Sequence, residues 1–310
     1  MARAHRPERL HDWPSLAPQL ALAERLFGKD DRARIQAWLD EQLARVEDPA
    51  FAALFKGVGV EGAAPSDFNH RLVHTERGAL LGGIRFYGQD VTRPFVEVVA
   101  HGFDDLAALR AVVGAEWQLF RPRALRLLLP PGATPAPDAV LDQSVHIARY
   151  GKMAPPDGRV TLAAFEDAED AVAMVAARYA ALGRDEPELC RDIAMADPDD
   201  VRAWHGAGTL FAIEAGGARV GLIAYEPGRV EWIEGDVVAE EVVAVEHGGR
   251  GHAASAQRAL AALRREAAPE RLLLGTIARR NHPSRRSALR AGRAEALRQV
   301  FLPLPRTEVS

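Results

Sequence analysis

One stretch constrains this chain more than any other: Val243-Ala-Val-Glu-His-Gly-Gly-Arg-Gly-His-Ala-Ala-Ser-Ala-Gln-Arg-Ala-Leu260. It reads as a strand, a glycine-rich turn and an alanine-rich helix. Glycines let main-chain N–H groups approach an anion with no Cβ in the way. The helix start adds unpaired N–H donors and the positive end of the helix dipole. Together they suit a diphosphate, and small Ala253 and Ala254 leave the first turn open to a bulky ligand. Gly249-x-Gly251-x-x-Ala254 also fits the dinucleotide fingerprint G-x-G-x-x-G/A. Too little chain follows to build a doubly wound fold from that point. The next strand, 272–277, runs into Ala278-Arg279-Arg280 where that fold needs an acidic residue. A strand-to-helix turn with no ligand is the bland alternative.

Composition narrows the class. A chain of 310 residues, 48% hydrophobic and 26% charged, is long enough for two ordinary globular domains. The net charge of −4 disfavours generic nucleic-acid binding. The single cysteine excludes an internal disulfide framework and any CxxC zinc site. None of the ten histidines lies in HExxH, His70 and His74 read as exposed strand residues, and no metal is expected. Only three lysines occur. Lys29 precedes Asp30 and Lys152 precedes Met153, so no P-loop is present. No run of 18 apolar residues suggests a membrane span, and Met-Ala-Arg-Ala-His-Arg-Pro-Glu lacks the apolar core of a signal peptide. The expectation is a cytoplasmic protein.

Along the chain, residues 1–56 read as helical, with Leu20, Leu22, Leu26, Ile35, Leu39 and Leu43 at helical spacing. Strands are expected near 70–74, 79–86 and 95–100, a helix over 103–120, and strands at 124–129 and 144–150. Lys152-Met-Ala-Pro-Pro-Asp-Gly158 reads as a linker. It divides residues 1–152 from 159–310. The second part reads strand 160–164, helix 167–182 and short helices within 188–206. A hairpin of 210–214 and 220–225 follows, then strand 241–245, helix 252–264, strand 272–277, helix 283–291 and strand 300–304. The fold class is α/β with a mixed sheet.

These residues resemble the GNAT superfamily of acyl-CoA transferases. Its pyrophosphate loop is Q/R-x-x-G-x-G/A, and Gly248-Gly249-Arg250-Gly251-His252-Ala253 lies on it, with Gly248 where the family has Gln or Arg. After the next strand the family carries Asn-x-x-[Ala/Ser] and a helix ending in Gly-Phe. Asn281 and Ser284 match, Gly292 ends the helix, and Arg293 stands in place of Phe. The resemblance covers roughly residues 159–305 and implies a complete GNAT domain in the C-terminal half. It implies acetyl-CoA or another acyl-CoA as co-substrate, without a metal. The acceptor would be a small-molecule, peptide or protein amine. Main-chain amides of Val243, Ala244 and Val245 would hold the pantetheine, with Gly248, Gly249, Arg250, Gly251, His252, Ala253, Asn281 and Ser284 contributing to the CoA site.

An amine attacking a thioester needs a proton acceptor and a stabilised oxyanion. Some family members use a glutamate on this strand as base. Glu240 and Glu241 stand there on opposite faces. Glu241 is favoured because it is in phase with Val243 and Val245, and a purely structural role for both is the alternative. His247 and His252 flank the loop as surface residues or phosphate neighbours. Many members place an acidic tyrosine seven residues after the asparagine. Ala288 stands there, which leaves Ser287 as a neighbouring donor.

Residues 60–150 repeat the strand–helix rhythm, but His101-Gly102-Phe103-Asp104-Asp105 lacks G-x-G and carries two carboxylates. The expectation is a tandem architecture, with a degenerate GNAT-like or accessory α+β domain in the first half. The leading function is N-acyl transfer from acyl-CoA to an amine. A non-catalytic acyl-CoA-binding protein and an aminoacyl-tRNA-dependent transferase on a tandem GNAT fold are the alternatives. Oligomeric state is not legible. The acidic stretches 185–186 and 197–200 are read chiefly as exposed loops.

Overall fold

Short helices open the described part of the chain in the computed structural model, which covers residues 9–28 and 31–305. The opening octapeptide and Lys29–Asp30 lie outside the described residues. Helices α1 (Ala17–Phe27), α2 (Asp31–Ala44) and α3 (Pro49–Ala53) come first. Asp48 caps α3 by accepting from the Ala50 N–H at 2.9 Å. Strands β1 (His70–Thr75), β2 (Gly78–Phe86) and β3 (Pro94–His101) follow, then α4 (Leu106–Glu116), β4 (Ala124–Leu129) and β5 (Val140–Arg149).

The remaining elements are β6 (Thr161–Ala164), α5 (Ala168–Asp185), α6 (Pro187–Asp192), α7 (Pro198–Gly206), β7 (Leu210–Ala215), β8 (Ala218–Val230) and β9 (Ile233–Val243). Then come α8 (His252–Arg265), β10 (Leu272–Ala278), α9 (His282–Ala291) and β11 (Ala294–Pro303). Among the described residues no helix is long and apolar enough to cross a membrane.

The chain divides into two units, 1–142 with 297–310, and 143–296. The Pro-Pro-Gly stretch at 152–158 therefore lies inside the second unit, and the chain passes between units elsewhere. Strand pairing gives the reason. β5 pairs antiparallel with β10, and β11 pairs antiparallel with β4. A strand that precedes the linker thus pairs within the second unit, and the C-terminal strand pairs within the first.

The first unit has strand order β1-β2-β3-β4-β11, with β3 and β4 parallel. Its core gathers Leu109, Val113 and Trp117 of the α4 region with Phe68, Leu125 and Leu302, all buried. His70 is 1% exposed, which corrects its reading as an exposed strand residue. Its Nδ1 lies 3.0 Å from the Gln42 carbonyl oxygen. Burial first, and then Arg85, push its pKa down to about 3. His74 is exposed as expected.

The second unit has strand order β5-β10-β9-β8-β7-β6, with β9 and β10 parallel. One face packs Ala256, Leu260 and Ala261 of α8 against Ile213, Ile223 and Leu273. The other packs Val175 of α5 and Val201 and Trp204 of α7 against Leu222 and Val242. Leu260 is fully buried at the centre of the α8 face. Leu260→Ala is expected to cost about 2–5 kcal/mol. It would be read as a lower midpoint in urea unfolding of the full chain. A loss of less than about 1 kcal/mol would contradict this packing.

Candidate active site

The site begins with a strand that leaves its neighbour. β9 pairs with β8 along its length, but with β10 only at Asp236 and Val237, opposite Leu273 and Leu274. β10 continues on β5 to Ala278, so the two parallel strands diverge. A bulge explains the departure. Ala224 pairs with Glu240 and Tyr225 with Val238, which leaves Ala239 without an opposite residue. Bulges bend the strand that carries them and strengthen its twist.

The wedge between β9 and β10 opens into a cleft of about 570 Å3. Its walls come from β9, β10, the α5–α6 region, the 247–253 loop and α9. Ala244 donates its N–H to the Val220 carbonyl at 2.9 Å, which continues the β8 ladder. Hydrogen-bonded and outward-facing positions alternate in an antiparallel pair. Val243 and Glu241 therefore direct their main-chain groups toward the cleft. Val243 lines it, whereas Ala244 and Val245 do not.

The turn after β9 presents donors. Gly249 and Gly251 have φ of +75° and +83°, a region where only glycine rests without strain. Gly251 occupies the N-cap of α8, and no side chain caps that helix. Among the described residues, the main-chain N–H groups of 249 through 254 meet no acceptor, and the first such bond in the helix runs from Ser255 to the Gly251 oxygen at 3.1 Å. Gly248, Gly249, Gly251, His252 and Ala253 line the cleft. Arg250 does not. Its carbonyl accepts from Arg159 Nη1 at 3.4 Å, which brings a second cation to the loop. His247 and His252 lie edge to face, 6.4 Å between ring centres, and burial with nearby His247 lowers the His252 pKa. α9 supplies the far wall. Asn281 caps it, its Oδ1 accepting from the Ser284 N–H at 3.1 Å. Asn281, Ser284 and Ser287 face the cleft, while Ala288 is fully buried.

The two adjacent glutamates separate as strand residues must. Glu240 lies on the α5–α6 side, where Tyr179 and the Ala196 amide approach it. Its Oε1 accepts the Glu241 N–H at 3.0 Å. Burial raises its pKa. Glu241 lies on the α8 side, where Gln257 Nε2 donates to both its carboxylate oxygens at 2.9 and 3.1 Å. Burial pushes its pKa up to about 7 against the opposing influence of Arg293 and Gln257.

Sequence reasoning did not find Tyr179, Gln257 or Arg293 as site residues. Gln257 and Arg293 are polar side chains buried at 1% and 3% exposure, and no local pattern marks them. Of the acidic stretches, Asp197 caps α7 and Asp199 pairs with Arg202, whereas Glu186 lines the cleft. No cluster suited to a metal occurs among the described residues.

Glu241 ties stability to pH. Its folded pKa lies above the unfolded value of about 4.3, so the native state keeps the proton to higher pH. That contribution is complete below the unfolded value and is lost as pH rises through about 7. Thermal melts at about pH 5 and pH 8 should show wild type losing more stability than Glu241→Gln. Equal losses would contradict the assignment.

No family model matches the sequence, and no curated protein matches it. Solved structures do. A GNAT-family acetyltransferase from Colwellia psychrerythraea is 13% identical with a TM-score of 0.47, covering 86% of this chain and 97% of that chain. A GCN5-related N-acetyltransferase from Sphaerobacter thermophilus is 12% identical with a TM-score of 0.47, covering 95% and 93%. A tandem GNAT protein from the clavulanic acid biosynthesis pathway is 16% identical with a TM-score of 0.41, covering 87% and 97%. The second unit's own element order, with its parallel strands joined through the glycine turn and α8, is the arrangement that the resemblance implies.

Proposed function

We propose that the second unit transfers an acyl group from acyl-CoA to an amine. The run of unbonded N–H groups at 249–254 carries this reading, because it opens onto the wedge beside β9. A diphosphate would rest on those amides at the positive end of α8. The pantetheine would then follow the edge of β9 and pair with the Val243 main chain in place of a neighbouring strand.

The amine enters from the α5–α6 side and attacks the thioester carbonyl. Glu240 is the base, since its carboxylate reaches the cleft and its raised pKa improves it as a proton acceptor near neutrality. It replaces Glu241 as the favoured residue, because Glu241 is held by Gln257 beneath α8. When Glu240 takes the proton of the attacking nitrogen, it accepts the Glu241 N–H less strongly. That amide then turns to the oxyanion formed on the carbonyl. Collapse of the tetrahedral intermediate breaks the C–S bond and releases the thiolate, whose modest pKa lets it leave without a strong acid. Ser287 is the hydroxyl at hand where the acidic tyrosine is absent.

Calorimetric titration with acetyl-CoA tests the cradle. Wild type should bind with micromolar affinity, and Gly251→Glu should bind at least tenfold more weakly because its carboxylate enters the anion site. Failure of wild type to bind acetyl-CoA or longer acyl-CoAs would overturn the reading. Thiol release with a panel of amines tests the chemistry. Glu240→Gln is expected to lower kcat by about 10²–10⁴-fold. Binding without thiol release from any amine would favour a non-catalytic acyl-CoA-binding protein.

A further inference from the structure

The wedge ends on a buried, unpaired arginine. Gly292 closes α9 with φ of +96°, and the Arg293 N–H donates to the Ala288 carbonyl at 2.9 Å. That turn sends the Arg293 side chain inward, where the residue is 3% exposed yet lines the cleft. Its guanidinium lies against Gly275 of β10. A Cβ there would stand 3.5 Å from Nη2, 3.7 Å from Nη1 and 3.6 Å from the Val238 Cβ. Gly275 and Val238 are the residues just past the last β9–β10 pairing, so the cation sits at the closed end of the opening.

Its Nε and Nη1 have no hydrogen-bond acceptor. Glu241 influences it electrostatically, but no ion pair joins them, and both Glu241 oxygens are taken by Gln257. Arg126 of the first unit shows the usual arrangement. It is also largely buried, and it holds both Glu97 and Asp142, the latter at 2.8 Å. Buried charges without partners are costly, and native structures seldom keep them. A fork of free donors at the blind end of a substrate cleft is suited to a carboxylate.

On the acyl-transfer reading above, we infer that Arg293 receives the terminal carboxylate of a dicarboxylic acyl group, so that the preferred donor is an ω-carboxyacyl-CoA. An acyl chain extending from a thioester beside β9 would run toward Val238 and Gly275 and meet the guanidinium. The carboxylate belongs to the donor and not to the acceptor amine. Arg293 lies on the α8 side of the sheet, whereas the acceptor side is the α5–α6 face. An apolar acyl group would leave the arginine without a partner.

Calorimetry on the full chain with malonyl-CoA, succinyl-CoA, acetyl-CoA and butyryl-CoA tests this. One of the two dicarboxylic thioesters should bind roughly 10–100-fold more tightly than both monocarboxylic ones. Arg293→Met should bring it down to the affinity of butyryl-CoA. Comparable affinities for all four in wild type would overturn the inference while leaving the acyl-CoA reading intact. Absence of binding by every thioester would overturn both. The ranking in wild type decides the matter even if the variant does not fold.

Discussion

Everything in the second unit's site depends on β9 leaving β10 after Val237. A parallel pair in the middle of a sheet normally satisfies both strands. Here the bulge at Ala239 turns β9 aside while β8 keeps hold of its other edge, and β5 keeps β10 in place. The separation exposes a short run of main-chain polar groups inside the fold. It also leaves Glu240 near the unpaired edge and sets Gly275 beside Arg293. The same departure thus makes the space, the donors and the placement of the charged side chains.

The two strand–helix turns form a natural contrast. In the first unit, Asp105 caps α4 and accepts from the Ala107 and Ala108 N–H groups at 2.9 and 3.3 Å. The helix start is satisfied by its own carboxylate, which also repels an anion. In the second unit Gly251 takes the equivalent place and contributes no side chain, so α8 keeps its donors free. The difference between Asp105 and Gly251 turns a closed helix start into an open one.

The loop was legible in the sequence because glycines at 249 and 251 report a backbone requirement that no other residue meets as well. Gly292 was legible as the end of a helix for the same local reason, whereas Asn281 was marked only by the motif and not as the cap it forms. Strand membership was not. Nothing in the alternation of 140–149 or 294–303 says which sheet will receive those residues, because pairing is decided by partners far away in sequence. The long β8–β9 hairpin was not expected: only 220–225 and 241–245 read as strand, and Pro227, Gly228 and Gly235 interrupt the strand pattern between them. Its turn rests on Glu231, with φ of +56°, beside buried Trp232. Periodicity sets Glu240 and Glu241 on opposite sides of the sheet, but it does not say that Gln257 will hold Glu241 beneath α8. Arg293 was visible only as a departure from a pattern, because burial of a charge leaves no local mark.

Hydrogen exchange on the full chain, with and without acetyl-CoA, tests the central claim most directly. The amides of 249–254 and of Val243 lack partners, so they should exchange readily in the free protein and slow at saturating acetyl-CoA. Unchanged exchange at those positions, or protection confined to other segments, would contradict the account.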